Sequence, residues 1–153
     1  MAVVTKYGTA ARDPASLTGQ DAIHAGGRVR DMTSQVAVAN GDSANSVLRF
    51  GQIPSDAIIK FDSNVDCTAV TGAAMHLGFE NAPQALLSGQ TIAAAAVLPL
   101  SAGAVTSANR IKRAWELAGL ASNPGGMLWV IGTLSAGATA GGSVTLNLRF
   151  VTN

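Results

Sequence analysis

Residues 144–150 constrain the fold most: Val144, Leu146, Leu148 and Phe150 alternate with Thr145, Asn147 and Arg149. A repeat of two places apolar side chains on one face of a pleated strand and polar ones on the other, which no amphipathic helix does. The same repeat recurs upstream. Ile59, Phe61, Val65 and Cys67 share one parity while Lys60, Asp62, Asn64 and Asp66 share the other, so the spacing predicts a strand over 57–67. Met75, Leu77 and Phe79 interleave with His76, Gly78 and Glu80, and Thr71-Gly72 between the two runs predicts a hairpin.

Weaker alternation covers the region from Gly27. Residues 28–32 lead into 35–39, where Val36 and Val38 share a face, and Asn40-Gly41-Asp42 supplies a turn. Ser46, Leu48 and Phe50 alternate with Val47 and Arg49, and 51–54 closes that strand. Residues 91–98 read as a short strand. Asn123-Pro124-Gly125-Gly126 is a turn, and the continuous apolar run 127–131 fits a strand covered on both sides, followed by a loop over 132–142. One helix is expected over 110–117, capped by Asn109 and stopped by Gly119, with Ile111, Ala114, Trp115 and Ala118 as its apolar stripe and Lys112 and Glu116 one turn apart. About seven short strands and one short helix predict a mainly β chain, an antiparallel β-sandwich of jelly-roll type. Residues 27–153 form that domain, and residues 1–26, without either periodicity, are an extended arm or a frayed terminus.

Composition narrows what such a sandwich does. Charged residues are 12% of the chain, about half the ~25% of ordinary soluble domains, and the net charge is +1. Six basic and eight acidic residues lie through Glu80; beyond it stand only Arg110, Lys112, Arg113 and Arg149 against Glu116. Low charge favours association. No stripe of Lys and Arg suits a nucleic-acid backbone. No apolar stretch approaches the ~20 residues of a membrane helix, and none near Met1 resembles a signal segment, so synthesis in a cytoplasm is expected.

No catalytic arrangement stands out, and the chain is expected not to be an enzyme. Asp62-Ser63-Asn64-Val65-Asp66 imitates the start of a calcium loop, but Cys67 stands where the loop needs Gly and Ala73 where it needs Glu. His24 and His76 lack a second ligand or a nucleophile at useful spacing, and Cys67, on the apolar parity, is an inert thiol. The paired glycines are turns without a phosphate-loop lysine. No cofactor or metal is expected. Trp115 and Trp129 read as core, although exposed over a groove they would make a carbohydrate- or receptor-binding platform. Arg110, Lys112 and Arg113 suit contact with an acidic protein surface.

The segment Arg110-Ile-Lys-Arg-Ala-Trp-Glu-Leu-Ala-Gly-Leu-Ala-Ser-Asn-Pro-Gly125-Gly126, followed by a strand, an Ala/Gly/Thr loop and a final alternating strand, resembles the head decoration, or cement, proteins of tailed bacteriophages. The short arm, Gly26-Gly-Arg-Val-Arg30 and the Val-rich strand ending at Asn40-Gly-Asp42 share that resemblance. It implies a homo-oligomer, commonly a trimer, on the capsid exterior of the virion, with the major capsid protein as partner and neither nucleic acid nor membrane. It further implies that the arm crosses neighbouring subunits and that Tyr7, Arg12, Arg28, Arg30, Arg110 and Arg113 contact the capsid or other copies.

Overall fold

The structure, a computed structural model, describes residues 3–8 and 28–152, with the side chain of Arg28 excepted. Ten strands follow one another: β1 (Thr5–Tyr7), β2 (Arg28–Val38), β3 (Val47–Pro54), β4 (Ile58–Ile59), β5 (Asn64–Cys67), β6 (Ala74–Phe79), β7 (Ala82–Thr91), β8 (Ala96–Pro99), β9 (Met127–Ala136) and β10 (Gly142–Thr152). One sheet runs β1-β3-β9-β6-β7. The other runs β2-β10-β5-β8, with β4 also on β10. Every pairing is antiparallel except that of β1 with β3. The pairs nest in sequence, β2 with β10, β3 with β9, β5 with β8 and β6 with β7, as in one long hairpin rolled up on itself.

Period-two patterning puts the inward sets of both sheets into one apolar cluster. Met32, Val36 and Val38 of β2, Val65 and Cys67 of β5, and Val144, Leu146, Leu148 and Phe150 of β10 line one side. Leu48, Phe50 and Ile53 of β3, Met75, Leu77 and Phe79 of β6, Leu86 and Leu87 of β7, and Val130 and Leu134 of β9 line the other. Each such leucine or phenylalanine contributes roughly 1.5–3 kcal/mol by leaving water. Burial pushes the Cys67 thiol above its ordinary range, and the neighbouring Asp66 carboxylate adds to this. The unfolded thiol therefore ionises first, and the stability it confers is complete at neutral pH and falls away as the pH climbs above about 9. An alkylating reagent at pH 8 is expected to modify Cys67 only as fast as the chain unfolds; rapid labelling of the folded chain would refute this burial.

Several elements depart from the sequence expectations. The strand expected over 57–67 is broken by a turn in which Ser63 N–H donates to Lys60 O at 3.1 Å, so Phe61 leaves the core face and is 41% exposed. Thr71-Gly72 does not close a hairpin: β5 and β6 belong to different sheets, and the turn, with Gly72 at φ +79°, carries the chain between them. β3 does not end at Phe50. A bulge between Arg49 and Gly51 slips the register by one residue, so that Leu48, Phe50 and Ile53 all point inward despite their changed parity. β9 extends to Ala136, shortening the expected 132–142 loop, and of the 91–98 segment only Thr91, the end of β7, and residues 96–98, in β8, are strand.

The helix shrinks to one turn, α1 (Ala114–Leu117). Asn109 does not cap it; its amide donates to Ala104 O at 3.1 Å and belongs to the preceding turns. Arg113, extended, precedes the helix, and its N–H donates to the Glu116 carboxylate at 2.7 Å, taking Glu116 from the expected Lys112 pairing. Ile111 thus lies outside the helix and is 74% exposed, whereas Ala114 and Ala118 reach the core. Gly119, at φ +70°, ends the turn as expected. Ala114 and Trp115 N–H groups donate to Ala57 O and Ser55 O, which fastens α1 to the loop before β4.

Candidate interface

The outward parity of β2, β10 and β5 builds a flat polar face. Thr33, Asn147 and Asn64 stand side by side across the three strands; Thr33 Oγ1 donates to Asn147 Oδ1 at 3.2 Å and Asn147 Nδ2 to Asn64 Oδ1 at 3.1 Å. One tier along, Gln35 Nε2 reaches Ser143 Oγ and Thr145 Oγ1, both at 3.3 Å. In the opposite direction Arg149 bridges two carboxylates, donating from Nε to Asp31 Oδ1 at 2.7 Å and from an η nitrogen to Asp62 Oδ2 at 2.5 Å. The two carboxylates push the Arg149 guanidinium further up from an already high value. All three groups are exposed, so the pairing orients side chains more than it stabilises the fold. Asp31, Met32, Thr33, Asn147, Leu148 and Arg149 line a shallow depression on this face.

The calcium-like trio is placed here too, and two of its members have other partners. Asp62 is taken by Arg149 and Asn64 by Asn147. Among the described residues no group of three or more His, Cys, Asp or Glu side chains is arranged to hold a metal ion. His76 Nδ1 accepts the Gly89 N–H at 2.8 Å, a contact that ties β7 to β6.

The residues singled out for capsid or subunit contact fall in three places. Tyr7, on β1 opposite Arg49, is 42% exposed on the first sheet. Arg28 and Arg30 open β2 opposite Thr152 and Phe150, and Arg30 is half-buried. Arg113 reaches that same end of the second sheet, because it bridges Ile58, which pairs with Val151. Arg110, exposed, precedes it by one turn. Arg12 lies outside the described residues, as does most of the expected arm. The structure thus draws Arg28, Arg30 and Arg113 to one end of the second sheet and leaves Tyr7 on the other sheet. At this end Val29, Val151 and Ile58 form an aliphatic row on the outward parity, with Val29 56% exposed, whereas Arg30, opposite Phe150, has the inward parity.

A further cluster escaped the sequence reading. Trp129, half-buried, and Ile131, buried, both stand outside the main core cluster; they lie on the outward parity of the first sheet, since it is Gly132 that faces Leu48, Phe50 and Met75. The Arg49 guanidinium sits 5.0 Å from the Trp129 ring centroid and pairs with Glu80. Arg49 Nε is buried without a hydrogen-bond partner. The run 127–131 hid this face because its residues are all apolar, and only the pairing of Gln52 with Trp129 reveals it. Trp115 is half-buried outside the core cluster, and one face of Trp129 is taken by Arg49, so the two indoles do not lie together as core.

No family model matches the chain, and no curated protein does. Two solved structures match in fold. A chain of the cyanophage Pam1 capsid asymmetric unit superposes with a TM-score of 0.59 and 15% identity, over 92% of this chain and 100% of that one. A chain of the Ralstonia phage GP4 capsid superposes with a TM-score of 0.63 and 14% identity, over 99% of both.

Proposed function

We propose that this chain is a decoration, or cement, protein of a tailed-phage head: a homo-oligomer, most simply a trimer, that binds the outside of the assembled shell and joins adjacent major capsid subunits. The observation that carries this reading is the end-to-end fold correspondence with chains of two phage capsids, over 92% and 99% of this chain. The nested strand pairing supports it, because β2-β10-β5-β8 against β3-β9-β6-β7 is the order a jelly roll would have, an architecture common in viral shells. β1 then lies outside the eight-stranded roll as an added edge.

The role is structural, without a chemical step. Lys6 pairs with Asp42, Arg49 with Glu80 and Arg149 with Asp31 and Asp62, and with a net charge of only +1 this suits a protein partner better than a nucleic acid. No described helix is long and apolar enough to cross a membrane. The aliphatic row of Val29, Val151 and Ile58, at the end of the second sheet that the backbone of Arg28, Arg30 and Arg113 also occupies, is the surface assigned to the capsid or to other copies, and Arg110 is assigned to the same contact. The residues of the arm, Arg12 among them, are assigned to crossing neighbouring subunits.

The mechanism is linkage. A protein that binds only the assembled shell stabilises each site by RT ln(1 + [L]/Kd), about 2.7 kcal/mol at a hundredfold excess over Kd. Adding the purified chain to bare expanded capsids is expected to raise their disruption temperature in a saturable way and to leave free capsid subunits unbound. An unchanged disruption temperature, with the chain monomeric at micromolar concentration by light scattering, would overturn the proposal.

A further inference from the structure

β1 differs from every other described strand. It is parallel to its neighbour, and a parallel pair needs a long connection; here residues 9–27, β2 and a turn intervene before β3. It supplies no residue to the core cluster, and Val3, Thr5 and Tyr7 are exposed. What holds it is edge chemistry. Val47 N–H donates to Val4 O at 2.8 Å, Val4 N–H to Ser46 Oγ at 3.2 Å, and Gly8 N–H to Arg49 O. Lys6 Nζ lies 2.5 Å from Asp42 Oδ2, a buried carboxylate oxygen that also accepts the Ala39 N–H at 2.8 Å. The receiving groups therefore belong to the sandwich and are fixed by it, while the received groups all lie in residues 4–8.

The connector is far longer than its own chain requires. A Cβ on Gly8 would lie 2.1 Å from Ser34 Oγ, so the chain leaves β1 beside the middle of β2. From Ser34 back to Arg28 is about 20 Å along a strand. The 19 residues 9–27 reach about 65 Å when extended, more than the roughly 40 Å breadth of a domain of this size.

From this pairing of a core-free edge strand with a connector that outreaches the domain, we propose that β1 is exchanged between copies. In the oligomer, the strand seated on β3 and on Asp42 is donated by a neighbouring copy of this chain. Exchange preserves every contact that holds β1 and disturbs no core residue, so it links copies without cost to the sandwich. It rests on the proposed function only in requiring self-association.

Thr5 and Val47 face each other in the β1–β3 register. The full chain carrying Thr5→Cys and Val47→Cys, with Cys67→Ala to remove the native thiol, is therefore the test. After mild oxidation of the oligomer, a non-reducing denaturing gel is expected to show covalent dimers and larger species, with most of the monomer band lost. An internally linked monomer, or free thiols throughout, overturns exchange. Should the triple variant not fold, a chain lacking residues 1–8 is expected to keep its cooperative unfolding and to fall to monomer mass by light scattering. An oligomer that survives that deletion overturns exchange as well. An oligomer linked only within copies refutes exchange alone, and cross-linked oligomers that leave capsids unprotected refute the cement role alone.

Discussion

Replacing Phe50 with alanine is expected to cost about 3–5 kcal/mol, a large share of the ~5–15 kcal/mol by which a domain is folded. Phe50 is fully buried and sits at the β3 bulge as the residue with no direct partner on β9. Its ring reaches the other side of the pair: a Cβ on Gly132 would lie 3.1 Å from Phe50 Cε2 and 3.0 Å from Met75 Sδ. The ring thus fills the space that Gly132 leaves bare. Its backbone is held separately, since Ser34 Oγ donates to Phe50 O at 2.6 Å across the two sheets. The variant should melt roughly 10 °C or more below the parent. A loss under about 1 kcal/mol in urea unfolding would show that the bulge does not aim Phe50 at the core.

Gly78→Ala is expected to be at least as damaging, for a different reason. A Cβ there would lie 2.2 Å from Ala82 O, 2.7 Å from Ala85 N and 2.7 Å from the Pro83 carbonyl carbon. All three are backbone atoms, so no rotamer change relieves the contact, and the first part of β7 must lift off β6. The β6–β7 pairing already shifts register twice, between Met75 and Leu77 and between Leu77 and Phe79, which lets β7 fold back over Gly78. The expected result is a loss of several kcal/mol and new protease sensitivity within 82–91. Gly41→Ala is the control. It has φ +90° but open space around it, so only backbone strain of about 1–2 kcal/mol should be felt. Equal effects of the two substitutions would argue against the close approach at Gly78.

What the sequence made legible were the strands with one wet face. Val144, Leu146, Leu148 and Phe150 are all buried, as are Val36 and Val38, and Met75, Leu77 and Phe79. There the polar parity carries the signal as much as the apolar one. Phe61 was misplaced because alternation continues through a turn that it cannot detect, and Ser63, the inward residue beyond it, is polar but bonded to Arg149 through both its hydroxyl and the Arg149 N–H. Thr71-Gly72 read as a hairpin because a turn signal states the angle of a reversal and not which sheet receives the next strand. β7 carries Pro83, Ser88 and Gly89 and has weak periodicity, because its pairing is broken by bulges. Within the candidate interface, the cluster at one end of the second sheet was half visible: the arginines stand out singly, but only the register of β2, β4 and β10 shows that Arg28, Arg30 and Arg113 share an end. The Arg49–Trp129 pair depends on which side of an all-apolar strand faces out, and that is decided by packing alone.

The nested pairing also governs the order of events as the chain is made. Thr33 and its hydrogen-bond partner Asn147 are 114 residues apart, so β2 must wait for the strand that completes its sheet. At about 5–20 residues per second, synthesis leaves β2 unmatched for on the order of 10 s. Because the outermost pairs of the nest close over the longest loops, the two sheets cannot be finished one after the other during translation, and collapse of both together in milliseconds to seconds follows the arrival of β10. During that interval the Val-rich strand is open to the same strand of another nascent chain, which gives the low-charge sequence a kinetic hazard that its finished surface does not show.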